Sequence, residues 1–476
     1  MQYSVVRLKD VFEDNEVFRF DAGYYYPPAY NLFKKVKSLK FSRIKECFTV
    51  TKLAGFEYTD YFTSKNVSSD DYYIVLTSKN IQHEELVLDD YLRIDKKTAD
   101  QYLNRSRIKK GDIVLSYTGE YRRALVIQND GFQLGPNICL IRQKEKTLNP
   151  YYVSTFLNAN AGQLLLDREK TLSAQPTVAM SRIREIPIPL LSEIFQSRIE
   201  KIILESKRNQ LYANDLYRQA EQILLSELGL LDWMPKHQLS FVKNFLDTKS
   251  ADRMNADYFQ PMYHELIERI KQYENGCKKL DDLVSIKKCI EPGSEVYQEN
   301  GIPFLRVSNL SKLGINNDNQ QYISEGLYEK LKNYQPQKGE ILLSKDATPG
   351  IAFYLNSEPE KMIPSGGILR LKVKDVKAIY PEYLTLVLNS VVVQRQIDRD
   401  IGGSVINHWL VDQIKNALIP VLPGSIQKDI SDKIADSFLK REQSKKLLDI
   451  AKRAVEMAIE QNEEGAEKWL NEKVGS

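Results

Sequence analysis

Lys110-Gly111-Asp112-Ile113-Val114-Leu115-Ser116 returns as Lys338-Gly339-Glu340-Ile341-Leu342-Leu343-Ser344, an offset of 228 from position 110 to position 338. In both copies a turn glycine leads into a run of apolar residues, the pattern of a buried strand that begins at a tight turn. Upstream, Arg19-Phe20-Asp21-Ala22-Gly23-Tyr24-Tyr25-Tyr26-Pro27 returns as Arg253-Met254-Asn255-Ala256-Asp257-Tyr258-Phe259-Gln260-Pro261, from 19 to 253, an offset of 234. Downstream, Ile188-Pro189 with Gln196, Ile199 and Ile203 returns as Ile419-Pro420 with Gln427, Ile430 and Ile434, from 189 to 420, an offset of 231. The offset drifts by a few residues only, so the copies differ by small insertions and deletions. A period this long is a whole domain with its connector, not a solenoid unit of about 20–50 residues. Two similar domains on one chain suit a target that is itself extended or two-fold.

Within each copy the pattern is mixed. Tyr72-Tyr73-Ile74-Val75-Leu76 and Asp112–Ser116 read as short strands broken by Gly, Asn and Ser turns. Asn149-Pro150-Tyr151-Tyr152 and Tyr380-Pro381-Glu382-Tyr383 read as helix starts, with Pro in the first turn. Each copy is therefore expected to be α+β, with a mainly antiparallel or mixed sheet. After Ile188-Pro189 the period changes. Phe195, Ile199, Ile202, Ser206, Asn209, Ala213, Leu216, Ala220 and Ile223 step by alternating four and three, a heptad seam. Ser192 reads as its N-cap and Gly229 as its stop. The seam then falls on Glu227 or shifts to Leu228. About 36 residues make a helix of roughly 54 Å.

The second copy ends similarly. After Pro423-Gly424-Ser425 come Ile426, Ile430, Ile434, Phe438, Leu447, Ala451, Ala454 and Ala458, whose alanines would let another backbone approach closely. Neither seam can be buried on one small domain along its whole length. The expected arrangement is an antiparallel coiled coil of the two helices, the alternative being that each helix folds down onto its own domain, with Asn209 either setting register or facing solvent. The expected divisions are residues 1–190, a long helix over 191–230, residues 231–422, and a second long helix over 423–476.

At 476 residues the length prior is roughly three domains. Apolar content of 42% and charged content of 28% are ordinary for a globular chain. The net charge of +3 is compatible with nucleic acid without requiring it. The 27 tyrosines offer rigid contact area with a polar tip, though strands also favour them, and most are expected to be structural. Cys47, Cys139, Cys277 and Cys289, like the four histidines, are scattered, so no zinc spacing or disulfide framework is present. Arg7, Lys9 and Asp10 leave no signal-peptide core, and no 18-residue apolar run occurs. A cytoplasmic protein is expected.

Catalytic motifs are absent. Asn149-Pro150-Tyr151-Tyr152 lacks the second Pro of an amino-methyltransferase loop, and Tyr26-Pro27-Pro28-Ala29-Tyr30 lacks the Asn or Asp that would hold a base's amino group. In Asp167-Arg168-Glu169-Lys170 the acid and lysine are adjacent rather than spaced as in nuclease sites, so a solvated helix face is expected. Gly402-Gly403-Ser404 and Ser365-Gly366-Gly367 are too short for a phosphate loop.

Taken together, the tandem domains, the Lys-Gly-Asp/Glu strand, Leu305-Arg306-Val307-Ser308-Asn309-Leu310, the Ile-Pro closing strand and the Gln-containing long helix resemble the specificity subunits of type I restriction-modification enzymes. The likeness runs over nearly the whole chain. It implies two target-recognition domains, each reading one half of a split double-stranded DNA sequence. It also implies that the two long helices act as spacer and as docking surface for two methyltransferase subunits, joined by restriction/translocase subunits. Catalysis and S-adenosylmethionine would then lie on the partners, with no cofactor or metal on this chain.

Bases are read by side chains that reach their edges from loops on a rigid sheet. The expected readers follow the repeated strand. They are Ser116, Tyr117, Thr118, Gly119, Tyr121, Arg122 and Arg123 in the first copy, and Ser344, Lys345, Asp346, Ala347, Thr348, Pro349 and Gly350 in the second. Further candidates are Thr77, Ser78, Lys79 and Asn80, aligned with Arg306, Ser308 and Asn309. Ser173, Gln175 and Thr177, and Gly403, Ser404, Asn407 and His408, precede the closing strands. For these a capping or turn role competes. The docking surface is expected on the seams, at Ile199, Ile202, Asn209, Leu216, Ile223, Ile430, Ile434, Leu447 and Ala451. The spacer helix would cap the distance between half-sites at roughly 16 base pairs, at about 3.4 Å per pair. A competing reading is a tandem protein-interaction scaffold that touches no DNA; another is a free-standing enzyme acting on DNA.

Overall fold

A computed structural model describes residues 6–14, 19–67, 70–82, 84–118, 122–144, 146, 148–171, 175–317, 319–401 and 407–475. The chain divides into two compact units, Met1–Arg208 with Gln443–Ser476, and Asn209–Glu442. Residues 191–230 and 423–476, expected as long helices, are each divided between the two units.

In the first unit, β1 (Phe41–Arg43), β2 (Phe48–Lys52), β3 (Tyr72–Leu76), β4 (Leu92–Asp95), β5 (Arg107–Ile108), β6 (Ile113–Ser116), β7 (Ala124–Val126), β8 (Phe132–Leu134), β9 (Ile138–Gln143) and β10 (Pro187–Pro189) are joined by α1 (Pro27–Ser38), α2 (Pro150–Asn158), α3 (Asn160–Glu169) and α4 (Met180–Glu185). The repeated strand β6 is central to an antiparallel sheet of order β2-β9-β6-β7. It reads as an unbroken apolar run because all four residues are buried. A second sheet, β4-β3-β8-β5, contains one parallel pair, β3 with β8. Among the described residues the Ile-Pro strand β10 pairs with β1 alone, a two-stranded ribbon where a proline removes no ladder bond. Long helix α5 (Glu193–Glu227) begins as expected, with Ser192 Oγ accepting from Phe195 N at 3.2 Å.

The second unit follows the same order. It has β11 (Cys277–Lys279), β12 (Val284–Lys288), β13 (Ile302–Leu305), β14 (Gln321–Ile323), β15 (Glu340–Ser344), β16 (Ala352–Tyr354), β17 (Ile363–Pro364), β18 (Ile368–Val373) and β19 (Leu418–Pro420), with α6 (Pro261–Gln272), α7 (Pro381–Asn389), α8 (Val391–Ile401) and α9 (Val411–Asn416). Its sheets are β12-β18-β15-β16, antiparallel, and β14-β13-β17, with β13 parallel to β17. The chain closes with α10 (Gly424–Glu460) and α11 (Glu463–Val474). The second long helix thus stops short of the expected 476. Asn462 is extended and its side chain accepts from Gly465 N at 2.8 Å, capping a new helix.

Matching positions in the two units make like bonds. Tyr152 Oη donates to Pro189 O, and Tyr383 Oη to Pro420 O, each at 2.8 Å. Gln196 accepts from Asn149 N and donates to Leu191 O; Gln427 accepts from Tyr380 N and donates to Leu422 O. Arg19 donates to Arg168 O, and Arg253 to Asp400 O, so the upstream motif ties each domain's entry to a helix end.

The seams are buried within the chain itself. Ile199, Ile202 and Ala451 belong to the first unit's core, with Ala454 and Ala458 beside them; Leu216, Ile430 and Ile434 are buried in the second. Asn209, Ile223 and Leu447 are half-buried. This corrects the docking expectation: Ile199, Ile202, Leu216, Ile430, Ile434 and Ala451 have no surface left for a partner. The seam also drifts, with Leu224 and Leu228 buried near its end in place of Ile223 and Glu227, as a 3.6-residue helix drifts against a 3.5-residue repeat. The polar layer is made by serine: Ser206 Oγ contacts Ser444 Oγ at 2.8 Å in the first unit, and Ser437 Oγ donates to Ala213 O at 2.7 Å in the second. Among the described residues no helix is long and apolar enough to cross a membrane.

Candidate nucleic-acid interface

The acid of the repeated strand sets the frame. Asp112 accepts from Arg142 Nε at 2.9 Å and Nη2 at 2.6 Å, and from Lys109 N at 2.7 Å. Glu340 accepts from Arg370 Nε at 2.8 Å and Nη2 at 3.0 Å, and from Gln337 N at 3.0 Å. The bond to Asp112 lifts the Arg142 guanidinium above its ordinary value. Each pair spans neighbouring strands, β6 to β9 and β15 to β18. Gly111 and Gly339, at φ 89° and 85°, turn the chain just before the acid, as expected of a left-handed position.

At the far end of each strand a buried serine closes a hairpin. Ser116 N donates to Arg123 O at 3.0 Å, and Ser116 Oγ accepts from Arg123 N at 2.8 Å. Ser344 N donates to Ile351 O at 2.9 Å; its Oγ accepts from Ile351 N at 2.9 Å and donates to Thr348 O at 2.6 Å. Ser116 and Ser344 are therefore corrected from readers to loop closers. Arg122 is buried as well, its guanidinium paired with Asp167, and Gly350 is buried at φ 90°. What stays accessible is Tyr117, Thr118 and Arg123, half-buried, and Lys345 and Asp346, half-buried, with Ala347 and Thr348 exposed. Gly119, Tyr121, Ser173, Gly403 and Ser404 lie outside the described residues.

The separate candidate stretches meet. Thr118 bridges to Thr177, and Val178 N donates to Tyr117 O at 2.9 Å; Gln175 is exposed beside them. In the second unit Ala347 N donates to Asn407 O at 3.0 Å and Trp409 N to Lys345 O at 2.8 Å. Asp346 Oδ1 lies 2.8 Å from His408 Nδ1, and Oδ2 2.5 Å from Lys345 Nζ. Burial would raise the Asp346 carboxyl, but His408 and Lys345 hold it below its ordinary value. Asn407 and His408 are exposed. Each unit thus presents one edge, built from the hairpin and the stretch before the closing strand.

The third group divides. Asn80 is buried and spent: Oδ1 accepts from Thr77 N and Oγ1, and Nδ2 donates to Val87 O and Asp90 O. Asn309, also buried, accepts from Arg306 N at 3.2 Å. Both are corrected to turn-holding roles, because a buried amide that leaves its backbone partners would strand them. Lys79 and Ser308 are exposed; Arg306 is half-buried and donates to Asn319 O. A Cβ on Gly367 would meet Val307 Cγ2 at 2.9 Å and Asp346 Cβ at 3.5 Å, so the Arg306–Asn309 turn borders the second edge.

Residues missed from the sequence hold the hairpins from behind. Asn158 Nδ2 donates to Ala124 O and Oδ1 accepts from Ala124 N, both at 2.8 Å; Asn389 does the same for Ala352 at 2.8 and 3.0 Å. Their signal was an offset of 231, from 158 to 389, the same as the Ile-Pro motif's. Among the described residues no three His, Cys, Asp or Glu gather as a metal site. Burial pushes the Cys139 and Cys289 thiols up to about 12, which leaves neither a thiolate at neutral pH.

In both units an antiparallel four-stranded sheet carries a polar edge whose residues differ between the units. Residues 274–449 match the family model described as the type I restriction modification DNA specificity domain. The match covers the sheets of the second unit and most of α10, and leaves the first 273 residues of the chain outside it. No curated protein sequence matches the chain. Among solved structures it is similar to the type I restriction-modification S subunit from M. genitalium, with 12% identity over 88% of this chain and 95% of that one, at a TM-score of 0.40. It is also similar to the HsdS subunit from Thermoanaerobacter tengcongensis, with 15% identity over 92% and 96%, at a TM-score of 0.26.

Proposed function

We propose that the chain reads an asymmetric bipartite target in double-stranded DNA, one half-site with each unit, and docks two methyltransferase subunits that restriction/translocase subunits join. The observation that carries the reading is the pair of hairpins closed by the same bonds over six-residue loops of unrelated sequence. The frame is held constant while the edge differs, as two different half-sites require. The base-contacting residues are Thr118, Arg123, Gln175, Lys345, Asp346, Thr348 and Asn407, with Lys79 and Ser308 suited to phosphate contacts. S-adenosylmethionine belongs to the partners.

The long helices serve as spacer. What supports this is the contact pattern of α5 with α10: Ser206 meets Ser444 and Ala213 meets Ser437, so one helix gains seven residues as the other loses seven, the step of an antiparallel heptad pair. Docking then falls to the outer faces, not the seam.

Selection of bound sites from a random duplex pool tests the proposal. Replacing Lys345 and Thr348 by Ala should relax one half-site and spare the other; equal relaxation of both refutes the assignment of edges. Retention on DNA should fall steeply with salt as phosphate contacts release counterions, and a flat salt response would favour the protein-only scaffold.

A further inference from the structure

Two glutamines, each bonded to backbone carbonyls, hold the feet of both hairpins. Gln394 on α8 donates from Nε2 to Gly350 O at 3.0 Å and to Leu388 O at 3.1 Å. Gln163 on α3 donates from Nε2 to Arg122 O at 2.7 Å and to Leu157 O at 2.6 Å. Gly350 is the sixth residue after Ser344, and Arg122 the sixth after Ser116. In each unit one amide group therefore joins the last residue of the loop to the end of the preceding helix, α7 or α2.

The bond goes to a backbone carbonyl, so it is indifferent to the side chain that the loop carries at that place. Glycine stands there in one copy and arginine in the other, with the bond unchanged. In the second unit the approach is close: a Cβ on Gly350 would lie 2.6 Å from Gln394 Nε2 and 2.2 Å from Ile397 Cδ1. The other foot is closed by Ser344, whose hydroxyl is engaged at both Thr348 O and Ile351 N. Lys345, Asp346, Ala347 and Thr348 lie between these two feet, where Ala347 N also donates to Asn407 O and Trp409 N to Lys345 O.

We infer that Gln394 and Gln163 are positioning residues for sequence reading: they set the pose of the hairpin against the base edges without touching DNA. The inference rests on the reading edges proposed above. Hydrogen-bond discrimination between bases depends on sub-ångström placement of the reading group. A hairpin released at one foot should keep its phosphate contacts and lose selectivity.

The test uses the full chain in its assembled complex, with a random duplex pool as probe and a thermal midpoint measured on each variant. Gln394→Glu places a carboxylate against two carbonyl oxygens; Gln394→Met keeps the length and removes the donors, and serves if the first variant fails to fold. The expected result is a drop of about tenfold in discrimination at positions of one half-site, the scale of one or two neutral hydrogen bonds. The other half-site and total binding at low salt should be unchanged. Equal weakening of both half-sites with a fallen midpoint would overturn the inference, since that is the mark of a merely structural residue. An unaltered motif in both Gln394 variants, with Lys345→Ala still relaxing its half-site, overturns the inference and leaves the reading edge standing. If Lys345→Ala also leaves the motif unaltered, both fall together.

Discussion

Replacing Glu340 by Gln should damage the second unit far more than the matching Asp112→Asn damages the first. The Arg370 and Glu340 side chains are 3% and 1% exposed, and among the described residues the other bond of Arg370 is to Asn333 O at 3.1 Å. The amide variant leaves a guanidinium enclosed without a counter-charge and turns an NH2 group towards it. Breaking a buried pair in this way costs about 3–5 kcal/mol. In the first unit Arg142 is 31% exposed and retains Arg107 O at 2.6 Å, so the freed guanidinium can reach water; about 1–2 kcal/mol is expected there. Hydrogen exchange followed by mass spectrometry reports each unit separately, through the amides of β15 and β18 against those of β6 and β9. The larger loss corresponds to more than a hundredfold faster exchange through unfolding. The double change Glu340→Leu with Arg370→Met should recover most of it, because a packed apolar pair removes the desolvation cost with the charges. Equal effects of the two amide variants, or no gain from the double change, would refute the argument from enclosure.

Lys207 lies in the first unit, donating to Val126 O at 2.9 Å, and burial lowers its ammonium to about 8 against some opposition from Glu84. A lysine depressed in the folded state is a cost fully present below pH 8, which fades as pH rises towards its ordinary value of 10.5. Lys207→Met should therefore raise stability at pH 7 by about 2 kcal/mol, the burial cost less one hydrogen bond, and the gain should vanish by about pH 10. A pH series of urea melts checks it. Ala454→Leu should destabilise by about 1–3 kcal/mol, because the site is fully buried and overpacking displaces a neighbouring backbone; its thermal midpoint measures the loss. Tyr152→Phe and Tyr383→Phe remove matching buried bonds and should each cost about 1 kcal/mol or more, with a carbonyl left unpaired, read by chemical unfolding.

The duplicated strand, the proline-started helices and the first long helix were legible because their signals are local. A turn glycine, a fixed φ and a heptad need no knowledge of the far chain. The edges were legible as loops but not residue by residue. Ser116 at a strand end has one hydroxyl whether it faces a base or the backbone of Arg123, and only the hairpin's closure decides. Asn80 could have been read better, since Thr77 three residues before it is a reciprocal capping pattern. Asn462 followed by Glu463 and Glu464 likewise carried the mark of a new helix start. The sharing of the long helices between units was illegible, because it depends on contacts between residues more than two hundred positions apart, which no local period records.

That sharing governs synthesis. The first unit is discontinuous in sequence: Met1–Arg208 is completed by Gln443–Ser476. While the ribosome makes the intervening residues, Phe195, Ile199 and Ile202 wait without Ala451, Ala454 and Ala458 to cover them. A nascent chain broken off early would keep that apolar stripe uncovered, a ready substrate for chaperones and proteases. The amino-terminal unit can therefore close its core only once the Gln443–Ser476 segment has been made.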